Sequence, residues 1–141
     1  MRSIIGILFI LILGTSCAKE NSLVPNVAVN FNSPLTDPRL SRLSTAGGAV
    51  NLTGYGVAGI IIYRRADNAY MAYDRCSTVN PEQRNAITID DPNLTATDPV
   101  SGAKYSLYDG SPVKAPAKIS LRQYNVTITG NASNGTIHVS N

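Results

Sequence analysis

A chain of 141 residues has room for one hydrophobic core and one domain. Its 12 Lys and Arg against 9 Asp and Glu leave a formal charge of +3, but no basic cluster exceeds Arg64-Arg65. Nucleic acid demands a basic stripe and stacking aromatics, so it is not expected as a partner, and the surplus reads as a solvated surface.

The amino terminus carries the first signal. Met1-Arg2 is a short basic start, and Ile4–Leu13 is an apolar run broken only by Gly6. That length suits the core of a signal peptide and is too short for a bilayer-spanning helix. Gly14-Thr15-Ser16-Cys17 resembles a bacterial lipobox, with Gly14 where an aliphatic residue is usual and Leu13 one place early. The expected organisation is a signal peptide over 1–16, a lipidated tether over 17–26 and a β domain over 27–141. An ordinary secreted protein cut near Ser16 is the alternative. Acylation of Cys17 would anchor the chain without spanning, at about 0.8 kcal/mol per buried methylene. Ala18 after the Cys, in place of Asp, points to the outer membrane under the familiar sorting rules. The expected location is therefore the cell envelope: an outer-membrane lipoprotein facing the periplasm or the cell surface, with an unidentified envelope protein as partner.

Beyond the tether the pattern is β throughout. Val27, Val29 and Phe31 alternate with Ala28 and Asn30, which predicts a half-buried strand. Gly47-Gly48 breaks the chain before Ala49–Leu52. The run Ile60–Tyr63, the turn Ala66-Asp67-Asn68 and the return Tyr70–Tyr73 predict a hairpin over Gly59–Asp74. Ala86–Asp90 and Leu94–Thr97 flank an Asp91-Pro92-Asn93 turn, and a strand over Tyr105–Tyr108 precedes the turn Asp109-Gly110-Ser111-Pro112. Tyr124–Thr129 and Thr136–Ser140 close the chain as a hairpin. No window repeats at a helical period. Short strands between Gly, Pro and Asn turns predict an all-β antiparallel sandwich or barrel.

One stretch is more specific. Asp98–Tyr124 places Pro99, Gly102, Tyr105, Gly110, Pro116-Ala117, Leu121 and Tyr124 in register with Cys-Pro-x-His-Gly-x-x-Phe, a Gly turn, a Pro-Ala pair and Leu-x-x-Tyr. Upstream, Cys76-Ser77-Thr78 follows a strand-like segment, where a Cys-x-His pair would stand. The chain from about Val27 onward therefore resembles a degenerate Rieske domain. The resemblance implies a small antiparallel β fold with an inserted cluster-loop subdomain from Cys76 to about Tyr105. It also implies that Cys76, Thr78, Asp98 and Ser101 occupy the four cluster-ligand positions. Gly110-Ser111-Pro112 would match the proline loop that rigidifies the two cluster loops against each other.

A Rieske 2Fe–2S centre takes two thiolates on one iron and two imidazoles on the other. Only Cys76 of the four positions keeps its ligand; hydroxyls and carboxylates suit Mg or Ca better. The single His, His138, lies at no motif position, and the Cys pair that staples the loops of many Rieske domains is absent. No metal or cofactor is expected, the alternative being a 2Fe–2S cluster. With Cys17 lipidated, Cys76 has no disulfide partner and reads as a buried, inert thiol. A thiol enzyme would need an activating neighbour that the sequence does not offer. Other chemistry fares no better. Asp90, Asp91 and Asp98 lack calcium-loop spacing, Ser101-Gly102 lacks a nucleophile elbow, and Gly54-Tyr55-Gly56 with Gly59 precedes a strand, not the helix that phosphate needs. No catalytic residue is expected. The sequence favours a non-catalytic binding or structural module over a Rieske-type electron carrier.

Overall fold

The computed structural model describes residues 23–131 and 133–141; the signal-like run and Cys17 lie outside them. Ten strands form among the described residues: β1 Asn30–Pro34, β2 Ala49–Leu52, β3 Ile60–Arg64, β4 Tyr70–Asp74, β5 Thr88–Ile89, β6 Thr95–Thr97, β7 Lys104–Ser106, β8 Pro112–Lys114, β9 Gln123–Thr129 and β10 Thr136–Ser140. They build a six-stranded sheet in the order β1-β10-β9-β4-β3-β2 and a four-stranded sheet in the order β5-β6-β7-β8. Every strand pair is antiparallel. The all-β architecture with an inserted small subdomain is the one expected. The insertion runs further than Tyr105, since β8 pairs with β7 and the chain rejoins the main sheet only at β9.

The main sheet curls around its own core. β1 and β2 are its opposite edges, yet Phe31 of β1 and Val50 and Leu52 of β2 share one buried cluster with Ile60, Ile62, Tyr124 and Val139. A second cluster fills the space between the two sheets, with Ile61, Tyr63 and Tyr73 meeting Ile87, Ala96, Tyr105 and Leu107. This explains why Ile60–Tyr63 is continuously apolar. β3 is covered on both faces, and only half-exposed strands alternate. Each fully buried Ile stabilises the fold by roughly 1.5–3 kcal/mol over an exposed one.

The amino-terminal part of the domain departs from the sequence pattern in two places. β1 starts at Asn30, not Val27, because its partner β10 ends opposite it, Asn30 facing Ser140. The amide of Val29 then donates to the Asn141 side chain, and Val24 is already buried. A 3-10 turn at Pro38–Ser44, absent from the expected elements, closes the core with Leu40 and Leu43. Their spacing of three stacks them on one side at three residues per turn. Asp37 starts the turn by accepting the Arg39 amide at 2.8 Å, and Pro38 sits where its missing N–H costs nothing.

Candidate functional site

Two loops meet at one end of the hairpin. The first leaves β4 at Asp74 and carries Cys76, Ser77 and Thr78. It is closed by a bridge between Cys76 and Ala86 and by the Ser77 amide donating to the Asn85 carbonyl at 2.8 Å. The second, Asp98–Gly102, joins β6 to β7. Gly102 takes φ +76°, and its amide donates to the Asp98 carbonyl at 2.8 Å. The left-handed backbone there is the reason for glycine.

Tyr105 of β7 holds the first loop. Its buried hydroxyl lies 3.2 Å from Ser77 Oγ and 3.0 Å from Thr78 Oγ1, and accepts from the Thr78 amide at 3.2 Å. Thr78 Oγ1 donates onward to the Ile119 carbonyl at 2.8 Å. In the second loop the Asp98 carboxylate accepts from the Val100 amide at 2.9 Å and from Ser101 Oγ at 2.6 Å. Asp98 is fully buried. Burial opposes its ionisation, but the Ser101 and Ser77 hydroxyls and the amides of Val100 and Ser101 outweigh that and hold its carboxyl below the ordinary value. Thus Thr78 is bonded to Ser77's partner Tyr105 and to Ile119, while Asp98 and Ser101 are bonded to each other within the second loop. Neither the phenol bridge nor Ser77 was singled out from sequence, because each matters only through a partner distant along the chain.

Cys76 lies in the first loop as a free thiol with no exposed surface. Its Sγ is 3.6 Å from the carbonyls of Ser77 and Pro81. Burial, then the Asp74 carboxylate, raises the thiol from its ordinary value of 9.0 to about 11. Alkylation of the folded protein at neutral pH is therefore expected to be far slower than in denaturant, where the ordinary thiolate fraction returns. Equal rates in a timed labelling experiment would contradict this placement. The linkage has a definite sign: the folded state holds the proton more tightly. This contribution to stability is intact below pH 9 and is lost as the pH rises toward and through 11.

A larger feature escaped the sequence reading. Asp74, fully buried at the end of β4, accepts four hydrogen bonds. Oδ2 takes the Val57 amide and the Tyr124 hydroxyl, both at 2.7 Å, and Oδ1 takes the Cys76 amide at 2.8 Å and the Ala58 amide at 3.2 Å. The glycine-rich segment Gly54–Gly59 is thus an amide cradle after all, and the group it holds is the internal side chain of Asp74. Gly56 is required at φ +61°, where a Cβ would stand 2.3 Å from Asp74 Oδ2. The readable signal was a glycine-rich loop beside a strand ending in Asp.

The turn at Gly110 is present, with Gly110 at φ +77° and its amide donating to the Ser106 carbonyl at 2.9 Å. Two boundaries differ from expectation. Tyr108 is an exposed turn residue, not a strand residue, and the turn ends at Ser111 because Pro112 begins β8 opposite Tyr105. Gly110, Ser111 and Pro112 therefore back the strand that carries the bridging phenol.

Together the four candidate positions supply one thiol, one carboxylate and two hydroxyls, and the oxygens are already committed to one another and to the backbone. That donor set does not fit a Rieske-type 2Fe–2S centre. His138 stands apart on β10, 3.0 Å from Asn30 Oδ1. Among the described residues, no three His, Cys, Asp or Glu side chains are grouped to hold a metal. Among the described residues no helix is long and apolar enough to cross a membrane.

No protein-family model and no curated protein matches the chain. Among solved structures it is similar to a chain of the complex of reduced oxygenase and oxidized ferredoxin in carbazole 1,9a-dioxygenase, at TM-score 0.46 and 16% identity over 68% of this chain and 82% of that one. It is also similar to a putative NADH-dependent nitrite reductase small subunit from Mycobacterium tuberculosis, at TM-score 0.45 and 18% identity over 82% of this chain and 97% of that one.

Proposed function

We propose that this chain is a cell-envelope lipoprotein whose Rieske-like domain holds a hydrogen-bonded polar cluster where an iron–sulfur centre would otherwise sit. It acts as a non-catalytic binding or structural module, held at the outer membrane by lipid on Cys17. The observation that carries the reading is the Tyr105 hydroxyl, which reaches from β7, the strand after the second loop, to bond Ser77 and Thr78 of the first loop. A phenol so placed ties the first loop to β7 without metal, and the Asp98–Ser101 bond closes the second loop on itself. Buried polar networks of this kind rigidify when every member is satisfied. The lipoprotein part rests on the apolar run Ile4–Leu13 followed by Gly14-Thr15-Ser16-Cys17.

One preparation tests both parts: the full chain extracted from membranes of a bacterial host with cluster assembly intact. Intact mass is expected to show a product beginning at Cys17 with added acyl chains. Iron and acid-labile sulfide are expected well below one per chain. Two irons per chain with a Rieske-type absorption spectrum would make it an electron carrier and overturn the metal-free reading. An unacylated Cys17 would overturn the anchor while leaving the metal result standing.

A further inference from the structure

We propose that the cleft at the β3–β4 turn end of the main sheet binds a small solute through an anionic group (carboxylate, sulfate or phosphate), with Arg64 as the recognising cation. This site lies at the opposite end of β4 from Asp74 and the Cys76 loop, so it stands whether or not a cluster is ever present. The cleft encloses about 420 Å3 and is lined in part by Leu35, Thr36, Ser41, Ser44, Arg64 and Tyr70. A smaller hollow of about 280 Å3 shares Leu35, Arg64 and Tyr70 with it. The larger volume falls within the roughly 300–1,000 Å3 typical of small-molecule sites.

Arg64 is half-buried and pinned by neutral oxygens alone. Nη1 donates to the carbonyls of Leu43 at 3.0 Å and Ser44 at 2.7 Å, and Nη2 donates to Asn68 Oδ1 at 2.8 Å. The guanidinium carbon lies 5.7 Å from the centre of the Tyr70 ring, and Nε is buried without a partner. No carboxylate among the described residues pairs with it, a state it shares with most of the described Lys and Arg residues, but unlike its neighbour Arg65, which has Asp67. The cleft's own carboxylate, Asp37, is taken up by Arg39 at 2.7 Å and by the Ser33 hydroxyl at 2.9 Å. What remains is a fixed positive charge in the lining of a cleft that also carries hydroxyls, with one Nη2 hydrogen uncommitted. A guanidinium already held in one geometry loses little entropy on binding, and its charge-assisted bonds to oxyanions are strong. Asn68 takes φ +64°, a left-handed turn conformation, at the position where its amide oxygen meets Arg64.

The test is a titration of the full chain in detergent micelles by amide and Arg side-chain NMR. Sodium phosphate, sodium sulfate and D-glucuronate are added at constant ionic strength, with D-glucose as the neutral control. At least one oxyanion is expected to give saturable shifts confined to residues 35–44 and 64–70 and to the Arg64 Nε–H signal, with a Kd at or below about 1 mM. Phosphate or sulfate alone would mark an inorganic or ester oxyanion as the ligand chemistry; glucuronate alone would mark a carboxylate sugar. Arg64→Lys, which keeps the charge and loses the planar fork, is expected to weaken binding at least about tenfold, and Arg64→Gln to abolish it. No saturable shift with any oxyanion would overturn the proposal. So would equal binding of glucose and glucuronate, or unchanged affinity in a folded Arg64 variant. Should both variants unfold, the Arg64 Nε–H response of the parent chain decides.

Discussion

Asp74→Ala is expected to destabilise the domain by about 3 kcal/mol or more, since it strands buried donors that each cost about 1–3 kcal/mol when unpaired. The carboxylate accepts the amides of Val57, Ala58 and Cys76 and the Tyr124 hydroxyl. It therefore joins the glycine-rich loop, the end of β4, the first site loop and β9 at one point. Asp74→Asn preserves shape but replaces one acceptor oxygen by a donor, so an intermediate loss is expected. Tyr124→Phe removes a single bond and leaves the three amides satisfied, for a loss of about 1 kcal/mol. Burial, and then the bond to Asp74, hold the Tyr124 hydroxyl protonated well beyond the usual phenol range, so this bond persists across ordinary pH. Denaturant midpoints at constant slope measure the series. A loss below about 1 kcal/mol for Asp74→Ala would mean that the cradle does not hold the fold.

Gly110→Val is the second large effect, with an expected loss of about 2 kcal/mol or more from two separable causes. At φ +77° any side chain strains the backbone, at about 1–2 kcal/mol. A Cβ would also stand 2.8 Å from Cε1 and 3.2 Å from Cδ1 of Tyr73. Tyr73 has no exposed surface and cannot swing aside without disturbing the second core cluster. Its hydroxyl donates to the Leu107 carbonyl at 3.3 Å, which fixes the ring further. Gly110→Ala separates the causes when combined with Tyr73→Leu. The steric part should fall in the double variant and the backbone part should remain, giving a non-additive cycle. Strict additivity in thermal or denaturant unfolding would remove Tyr73 from the account. Unchanged stability of Gly110→Val would remove the turn.

The candidate site was legible in its members and not in its logic. The family resemblance brought Cys76, Thr78, Asp98 and Ser101 forward, and the structure bonds Thr78 to Tyr105 in one group and Asp98 to Ser101 in another. That the first group is held by a phenol is a statement about Tyr105, which sits 27 residues from Thr78 along the chain. The resemblance marks that position as aromatic and is silent about a hydroxyl there. Asp74 was read only as the end of a hairpin, and its use depends on Tyr124, 50 residues away.

The sequence by itself determined what local pattern can decide. The run Ile60–Tyr63 and its return Tyr70–Tyr73 specify a hairpin, Gly110 specifies a left-handed turn, and the closing strands Tyr124–Thr129 and Thr136–Ser140 specify their own pairing. Each follows from side-chain period, β-branching or turn chemistry within a dozen or so residues. Tertiary structure decided where β1 begins, because β10 sets its register. It decided that Pro38–Ser44 would coil as a 3-10 turn over the core, because Leu40 and Leu43 join a buried apolar cluster supplied by the strands of the main sheet. It also decided that Arg64, beside an Arg65 that pairs with Asp67, would line a cleft with no carboxylate partner among the described residues. Burial and charge pairing are properties of neighbours in space, and the curl of the main sheet supplies those neighbours from distant parts of the chain.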